Sequence, residues 1–311
     1  MLIVQNRILS DRMHAARALA FERAVPVLSG YAVAVAMLSK RGQIYAGCNF
    51  EYPLFNDRGH AEQVAIGRGI TAEGRAFDID TILLGASRHG SALPVERWSK
   101  GASGPLYCGN CRQWLIEAMS GDTYFELDAD GVRRERHKNR DLLPHPFDPS
   151  ILGGGVLSAN AEDILPLEIA AQKGKIAEQL LPYLQHAKPV NAYFRVELQT
   201  MSQIVAGIES EMGNLYPGVM ALGVHYHQLW PVISAFASFT MAEPKGRVKR
   251  LHWMLAGSRQ GIWKPTESEL LEANRSWLGY MMEGGLRRSS FAQVDYRILQ
   301  DTVSMRSYKA M

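Results

Sequence analysis

The sequence has little cysteine, little net charge and no long apolar run. Its 311 residues include 3 cysteines and carry a formal net charge of +3. A charge this small gives no argument for a nucleic-acid partner, and no apolar run approaches the roughly 18 residues of a membrane span. Because a sparse and odd set of cysteines is not a disulfide framework, we expect a protein of a reducing compartment, the cytoplasm, with no membrane contact.

Two of the cysteines form a Cys-x-x-Cys pair, Cys108 and Cys111, which follows a His-Ala-Glu tripeptide beginning at His60. One imidazole and two thiolates are three ligands for Zn²⁺, and a tetrahedral ion then keeps a fourth position for water. A glutamate two residues after the histidine, Glu62, can move protons to and from that water. This order of motifs is a signature of zinc-dependent nucleobase deaminases. The sequence therefore predicts a zinc hydrolase with these three metal ligands and Glu62 as the catalytic residue.

Other interpretations of the same residues stay open. A Cys-x-x-Cys pair can also be a redox motif, although no redox context accompanies it here. Arg112, next to Cys111, could donate to a thiolate and so adjust its strength as a ligand. The cluster could also be a closed structural zinc site. The candidates for its fourth ligand are then Cys48, His89, His137 and His145.

The first half of the chain alternates helical and strand patterns. Helical spacing of apolar residues predicts helices over residues 9–27, 60–70 and 108–119. Buried apolar runs and a hairpin turn predict strands over residues 31–38, 43–48, 79–84 and 124–127. Such alternation is typical of an α/β sandwich. It also puts His60 and Cys108 at helix N-termini, where thiolates and hydroxide are favoured.

Gly153-Gly154-Gly155 is the clearest boundary, because three consecutive glycines rarely lie inside a helix or strand. Beyond it, apolar residues from Met201 to Met212 recur at helical spacing, and Thr266 with Glu269 forms a capping box. We find no internal repeat. The sequence thus predicts a catalytic domain over residues 1–152, a glycine linker over 153–155 and a second, mostly helical domain over 156–311.

Motifs of the first half resemble those of the cytidine deaminase family over about residues 8–152. The resemblance implies a three-layer α/β/α sandwich and a zinc enzyme. Its substrate would be cytidine, deoxycytidine or a related cytosine nucleoside or nucleotide, converted to the uridine product and ammonia. The motifs are Ser29-Gly30-Tyr31-Ala32-Val33, Gly47-Cys48-Asn49-Phe50-Glu51, His60-Ala61-Glu62-Gln63, the residues from Cys108 to Gln113 and those from Leu142 to Pro149.

The resemblance also implies roles for residues outside the zinc cluster. Asn49 and Glu51 would bind the sugar 3′-hydroxyl, for which an amide and a carboxylate are chemically suited. The backbone of Ala61 would read the edge of the base, and Tyr31 would pack beside it. Phe147 would approach the site of a neighbouring subunit, which implies a homo-oligomer, either a dimer or a tetramer.

The chain departs from the family pattern in places that bear on the substrate. Tyr107 precedes the first Cys-x-x-Cys cysteine, where the family has proline, and Tyr52-Pro53 follows the sugar motif. A modified cytidine, a nucleotide or a nucleoside antibiotic therefore stays open as the substrate. Two other functions also stay open. One is a deaminase of cytosine in single-stranded nucleic acid, guided by the basic residues of 245–311, and the other is a zinc-containing binding module without catalysis.

Overall fold

The structure is a computed structural model in which the chain divides into two compact units. Unit 1 comprises Met1–Gly69 and Ala76–Phe147, and unit 2 comprises Ile70–Arg75 and Asp148–Met311. The predicted linker at 153–155, the capping box at Thr266 and Phe147 all lie outside the described residues. The described residues are 2–26, 28–51, 59–88, 107–121, 123–127, 134–145, 175–184, 186, 188–189, 203–222, 228–256 and 303–309.

Unit 1 is built on a five-stranded sheet of order β2-β1-β3-β4-β5, in which only β3 and β4 run parallel. The chain enters this sheet from α1, and later helices separate groups of one or two strands. The elements in chain order up to residue 147 are α1 (Leu2–Phe21), β1 (Tyr31–Ser39), β2 (Ile44–Cys48), α2 (Ala61–Glu73), a 3-10 turn (Gly74–Ala76), β3 (Ile79–Arg88), α3 (Gly109–Glu117), β4 (Thr123–Leu127), β5 (Arg134–Lys138) and α4 (Asn139–Leu142). Of these, the end of α2 and most of the 3-10 turn, residues 70–75, are assigned to unit 2.

Helices α1 and α2 cover opposite faces of this sheet. On one face, Met13 of α1 packs with Ala36, Leu38 and Leu83 in a buried apolar cluster. On the other face, Gly47 of β2 lies directly against α2. The predicted three-layer α/β/α arrangement is therefore confirmed for unit 1.

The first helix ends earlier than the sequence pattern predicts. Helix α1 stops at Phe21, whereas the apolar spacing extends the prediction to residue 27. The backbone N–H of Val25 instead donates to Asn49 O at 2.9 Å, and Val25 forms a parallel bridge with Phe50. Pro26, which has no N–H to donate, follows directly. Tertiary pairing and the proline together stop the helix.

Unit 2 carries a four-stranded sheet of order β12-β11-β7-β8 and a small sheet of order β10-β9-β6. Its strands outnumber its helices among the described residues, so the expectation of a mostly helical domain is wrong for this part of the chain. The elements are α5 (Lys175–Leu184), β6 (Lys188–Pro189), β7 (Gln203–Ser210), β8 (Leu215–Val219), β9 (Ala221–Leu222), β10 (Gln228–Leu229), α6 (Pro231–Ala242), β11 (Val248–Ala256) and β12 (Val303–Lys309).

The helix predicted from Met201 to Met212 is wrong, because this stretch contains strand β7. Both α5 and α6 contact β7, and its residues 205–210 are all buried. A strand covered on both faces is apolar at nearly every position. Apolar residues at helical spacing then occur by necessity, and they no longer distinguish a helix from a strand.

The two units repeat the same order of elements, so the expectation of no internal repeat is also wrong. A helix, two strands joined by a hairpin, a helix and a strand occur in this order as α1-β1-β2-α2-β3 and, apart from the two-residue strands β6, β9 and β10, as α5-β7-β8-α6-β11. In each sheet the first hairpin strand lies between its partner and the strand that follows the helix, giving β2-β1-β3 and β8-β7-β11.

The hairpins of the two units share details of backbone and sequence. Gly42 and Gly213 both adopt positive φ, 81° and 85°, and each donates its N–H to a serine carbonyl three residues earlier, at 2.8 and 2.9 Å. A glycine of each second strand, Gly47 or Gly218, lies against the helix that follows. The shared pattern was visible in the sequence as Ser39-x-x-Gly42-x-x-Tyr45-x-Gly47 and Ser210-x-x-Gly213-x-x-Tyr216-x-Gly218.

The described helices include none that combines the length and apolar character required to span a membrane.

Candidate active site

The residues of the predicted metal cluster lie where α2 and α3 begin. His60 immediately precedes α2, and its backbone N–H donates to Gln63 Oε1 at 3.1 Å, a contact typical of a helix N-terminus. Cys108 is the N-cap of α3, with φ −67° and ψ 163°, and its sulfur accepts from the N–H of Cys111 at 3.4 Å. The first turn of each helix thus fixes one half of the cluster.

A short backbone pairing joins the segment before α2 to the end of β2. Phe50 and Gly59 exchange two backbone hydrogen bonds of 2.9 and 3.1 Å. Because Gly59 precedes His60 and Phe50 lies between Asn49 and Glu51, this pairing brings the His-Ala-Glu motif beside the Asn-x-Glu motif.

The three predicted ligand atoms lie close together. His60 Nδ1 is 3.5 Å from Cys108 Sγ and 3.3 Å from Cys111 Sγ, and all three atoms lie within 4.8 Å of one another. In a tetrahedral site with Zn–N of about 2.0 Å and Zn–S of about 2.3 Å, a nitrogen and a sulfur are separated by roughly 3.5 Å. These residues therefore form a group that could bind a metal ion.

The two sulfurs of the group differ in proton affinity. Cys108 is exposed and Cys111 is buried. The hydrogen bond from the Cys111 thiol, together with His60, lowers the pKa of Cys108 to about 3. The same bond, aided by burial, raises the pKa of Cys111 well above its ordinary value. A cation held by both sulfurs would displace the remaining proton, because the thiolate is the form that ligates a metal.

Glu62 places a buried carboxyl group beside this cluster. The side chain is 4% exposed, and Glu62 Oε2 accepts from Cys111 Sγ at 3.2 Å. Burial raises the pKa of Glu62 above its ordinary value, although contacts with its own helix backbone and with Cys111 oppose the shift. A carboxyl group with a raised pKa keeps a proton more readily than an ordinary glutamate and can then pass it on.

The residues proposed to close a structural zinc site lie elsewhere, as far as they are described. Cys48 is buried at the end of β2, and the ring of His137 stacks on Tyr124 with 5.3 Å between ring centroids. His145 is exposed beyond α4, and His89 lies outside the described residues. Within the described part of the chain, the potential metal group contains only His60 and the two cysteines.

Arg112 does not supply the contact expected of it. Its Nε donates to the backbone carbonyl of Tyr107 at 2.8 Å, in the turn that leads into α3. The donation to the Cys108 sulfur comes instead from the backbone of Cys111. Tyr107 itself is buried, at 6% exposure.

A cavity of about 380 Å³ opens beside the cluster. Its wall includes four residues predicted to contact a substrate, namely Tyr31, Asn49, Glu51 and Ala61, as well as Glu62 and both sulfurs. Phe147, the remaining predicted contact, lies outside the described residues. None of the described residues that line the cavity is lysine or arginine.

Asn49 and Glu51 are already held by the protein at one end of this cavity. Asn49 Oδ1 accepts from Val33 N at 2.9 Å, and Asn49 Nδ2 donates to Tyr31 O at 2.9 Å and to Glu51 Oε1 at 3.2 Å. The amide therefore bridges a donor and an acceptor of β1 and also orients the carboxylate.

Ser29 is a residue of the cavity wall to which the sequence analysis gave no role. Its backbone N–H donates to Glu51 Oε2 at 2.7 Å, and its hydroxyl donates to Glu51 Oε1. The serine was part of the Ser29-Gly30-Tyr31 motif, but the motif does not indicate that a carboxylate 22 residues later faces it.

Unit 2 differs from unit 1 at the start of the corresponding helix. A Cβ on Gly218 would meet Pro231 O and Ala235 N, as one on Gly47 would meet Ala61 O and Ala65 N. This correspondence puts Trp230 at the position of His60 and Val232 at that of Glu62. Neither side chain can ligate a metal or carry a proton, so this turn of unit 2 lacks the chemistry of its counterpart.

Among solved structures, the chain is similar to bacterial cytidine deaminases. Identity is 18% to the protein from Mycobacterium leprae, with a TM-score of 0.33 over 43% of this chain and 97% of that one. For the protein from Burkholderia pseudomallei the values are 22%, 0.33, 44% and 98%, and for that from Mycobacterium tuberculosis 23%, 0.34, 44% and 96%. No family model and no curated protein sequence matches the chain. Identities and TM-scores this low say nothing about activity or substrate.

Proposed function

We propose that the protein is a zinc-dependent hydrolase that deaminates a cytosine nucleoside to the uridine product and ammonia. The observation that carries this proposal is the contact of four side chains at the starts of two helices. His60 Nδ1 lies 3.5 and 3.3 Å from two sulfurs, and Glu62 Oε2 lies 3.2 Å from one of those sulfurs. A structural metal site has no need of the buried carboxyl group.

In this proposal His60, Cys108 and Cys111 hold the zinc ion, which when bound supplies Lewis acidity toward water. Glu62 accepts a proton from the attacking water and delivers it to the ring nitrogen N3. It then takes the second proton from the hydroxyl now on C4 and gives it to the amine, which leaves as ammonia while the C4=O bond forms. One water is consumed and one ammonia released. The burial that raises the pKa of Glu62 suits it to hold a proton between these steps.

The lining of the cavity favours an uncharged nucleoside over a nucleotide. Glu51 and Glu62 are acidic, and no lysine or arginine joins them among the described lining residues. A phosphate group would meet the like charge of Glu51 there, and no cationic side chain among the described lining residues offsets it. Asn49 and Glu51 would bind a sugar hydroxyl, while Tyr31 and the backbone of Ala61 would contact the base. A homo-oligomeric assembly and a cytoplasmic location stay predictions.

The test is to load purified protein with zinc and to follow ammonia release from cytidine, deoxycytidine, their monophosphates and adenosine. We expect turnover of the free cytosine nucleosides. In Glu62→Gln, which keeps the size of the side chain, we expect the rate to fall by roughly 10²–10⁴-fold, the range typical of a lost general acid-base group. The zinc content should stay unchanged. If zinc binds stoichiometrically while every substrate stays intact, the protein is a binding module.

A further inference from the structure

The carboxylate of Glu51 accepts four hydrogen bonds from the protein. Glu51 Oε2 accepts from the backbone N–H groups of Leu28 and Ser29, at 2.8 and 2.7 Å. Glu51 Oε1 accepts from Asn49 Nδ2 at 3.2 Å and from the hydroxyl of Ser29. An ionised carboxylate offers about four acceptor positions. A ligand hydroxyl can therefore donate to Glu51 only if one of these donors gives way.

The Ser29 hydroxyl is the donor that can leave at the lowest cost. The backbone donors belong to a turn closed by a 2.8 Å bond from Gly30 N to Pro26 O, and the Asn49 amide is fixed at both ends on β1. Ser29 is exposed. Its oxygen accepts from the backbone N–H of Tyr31 at 3.0 Å, and its proton can turn about the C–O bond while that contact is kept. The hydroxyl also has a second acceptor within reach, Tyr31 O at 3.4 Å. The Ser29 hydroxyl proton can therefore turn from Glu51 Oε1 to Tyr31 O, and the hydroxyl still has an acceptor.

We propose that Ser29 sets the affinity of the site for the sugar by competing with a ligand hydroxyl for Glu51. In the free protein the serine hydroxyl occupies Glu51 Oε1, and on binding the sugar hydroxyl takes that position while the serine proton turns to Tyr31 O. Ser29 is thus a specificity-determining residue. The inference rests on the proposed function, which places the sugar at Asn49 and Glu51.

The competition can be measured with two substrates that differ by one hydroxyl. In wild-type protein, the hydrogen bond from the sugar hydroxyl to Glu51 adds less binding free energy, because the Ser29 hydroxyl must first be displaced. Ser29→Ala removes the competitor, so the KM for cytidine should fall by about fivefold, which corresponds to a typical net hydrogen-bond contribution of about 1 kcal/mol. The KM for 3′-deoxycytidine, which has no 3′-hydroxyl to gain from the vacated position, should not show this fall. The KM for 3′-deoxycytidine divided by the KM for cytidine, here called the KM ratio, should therefore rise in Ser29→Ala. Ser29→Thr keeps a hydroxyl and should have the wild-type KM ratio.

A matched control exists in the same unit. Ser120 also binds one carboxylate through its backbone N–H and its hydroxyl, donating to Asp78 at 3.0 Å through the nitrogen. Ser120 and Asp78 are not part of the cavity wall. Ser120→Ala should leave the KM ratio at its wild-type value. A ratio that is unchanged or lower in Ser29→Ala, or that rises equally in Ser120→Ala, overturns the proposal.

A binding measurement separates this inference from the proposed function. Calorimetry of Glu62→Gln with cytidine and 3′-deoxycytidine gives both dissociation constants without turnover. If the wild-type protein proves inactive, the proposed deamination fails, yet a gain in affinity restricted to cytidine in a Ser29→Ala, Glu62→Gln double variant would still support the competition. Equal changes for both ligands, or no binding of either, count against it.

Discussion

At the scale of single residues, the chain contains two buried thiols with different surroundings. Burial raises the pKa of the Cys48 thiol above its ordinary value. Cys111 is also buried, but it lies 3.3 Å from His60 Nδ1 and beside Cys108 and Glu62. Zinc needs deprotonated sulfur, and several ligand atoms must share the cation. Among the described residues, the group of neighbouring ligand atoms includes Cys111 but not Cys48. A thiol with a neighbouring imidazole and a second sulfur can share a cation.

This difference predicts the metal content of three cysteine variants. Cys108→Ala and Cys111→Ala each remove one ligand, and we expect them to lose bound zinc during dialysis against a mild chelator. Cys48→Ala should keep one zinc per chain. Metal analysis after dialysis gives the answer directly. Equal loss of zinc in Cys48→Ala would make Cys48 a ligand and favour a closed structural site.

At this scale the sequence predicted the types of residue better than their contacts. The metal group follows from motif order alone, because the chemistry of zinc requires those residue types. The contacts of Ser29 and Arg112 could not be predicted in the same way. They depend on a turn that aims two backbone N–H groups at Glu51, and on the position of the Tyr107 carbonyl just before α3.

At the scale of elements, the distance between β2 and α2 decides where the His-Ala-Glu motif lies. A Cβ on Gly47 would come within 2.2 Å of Ala61 O and 2.5 Å of Ala65 N, both backbone atoms of α2. Real Cβ contacts are not this short, so any side chain at position 47 has to move the helix. Moving the start of α2 would also move His60 and Glu62 relative to α3.

Gly47→Ala should therefore reduce both stability and zinc affinity. We expect a loss of about 1–3 kcal/mol in the free energy of unfolding, as for other overpacked sites, and zinc that is released at lower chelator concentrations. Gly42→Ala is the control, because that glycine has a φ of 81° with no atom near its Cβ position. It should lose stability through backbone strain and keep its zinc affinity. Denaturant unfolding and zinc competition would report the two effects separately, and normal zinc affinity in Gly47→Ala would contradict the prediction.

The elements of unit 1 were predicted better than those of unit 2, although helices cover both faces of the sheet in each unit. Strands β1 to β4 of unit 1 were predicted within about four residues of their observed bounds, since turns and glycines interrupt the pattern, whereas β5 was not predicted. Strand β7 was taken for a helix because α5 and α6 bury both of its faces. The repeat between the units was missed for a related reason. It is carried by hairpin geometry and a glycine contact, with few identical residues.

At the scale of the whole molecule, the two units share an order of elements but bury different side chains at equivalent strand positions. Strand register makes Glu209 and His252 of unit 2 equivalent to Leu38 and Leu83 of unit 1. Both leucines are buried with α1, and Glu209 and His252 are buried too, at 8% and 2% exposure. The two polar side chains are 3.1 Å apart, and Lys249 Nζ lies 2.7 Å from Glu209. Unit 2 thus keeps a charged group where unit 1 has an apolar cluster.

This substitution should make unit 2 sensitive to acid. Burial lowers the pKa of His252 below its ordinary 6.5, although Glu209 opposes the shift. For Glu209, burial raises the pKa, but the hydrogen bonds from Lys249 and His252 outweigh it, so the net pKa lies below the ordinary 4.5. Both groups have folded-state pKa values below those of the unfolded chain. The unfolded chain therefore binds protons first as the pH falls below 6.5, and stability should fall with it.

Replacing Glu209 and His252 by leucine, the residue at both equivalent positions of unit 1, should remove this sensitivity to acid. The double variant Glu209→Leu, His252→Leu exchanges a buried ionisable pair for apolar side chains, a change that is neutral or stabilising by about 1–4 kcal/mol in comparable cases. His252→Leu alone should destabilise by about 1–3 kcal/mol, because the buried carboxylate loses a donor. Hydrogen exchange of the β7 and β11 amides at pH 7.5 and 5.5 would follow unit 2 specifically. Wild type should exchange faster at the lower pH, after correction for intrinsic rates, and the double variant should not. A double variant less stable than His252→Leu would show that the charged group is required by this copy of the scaffold.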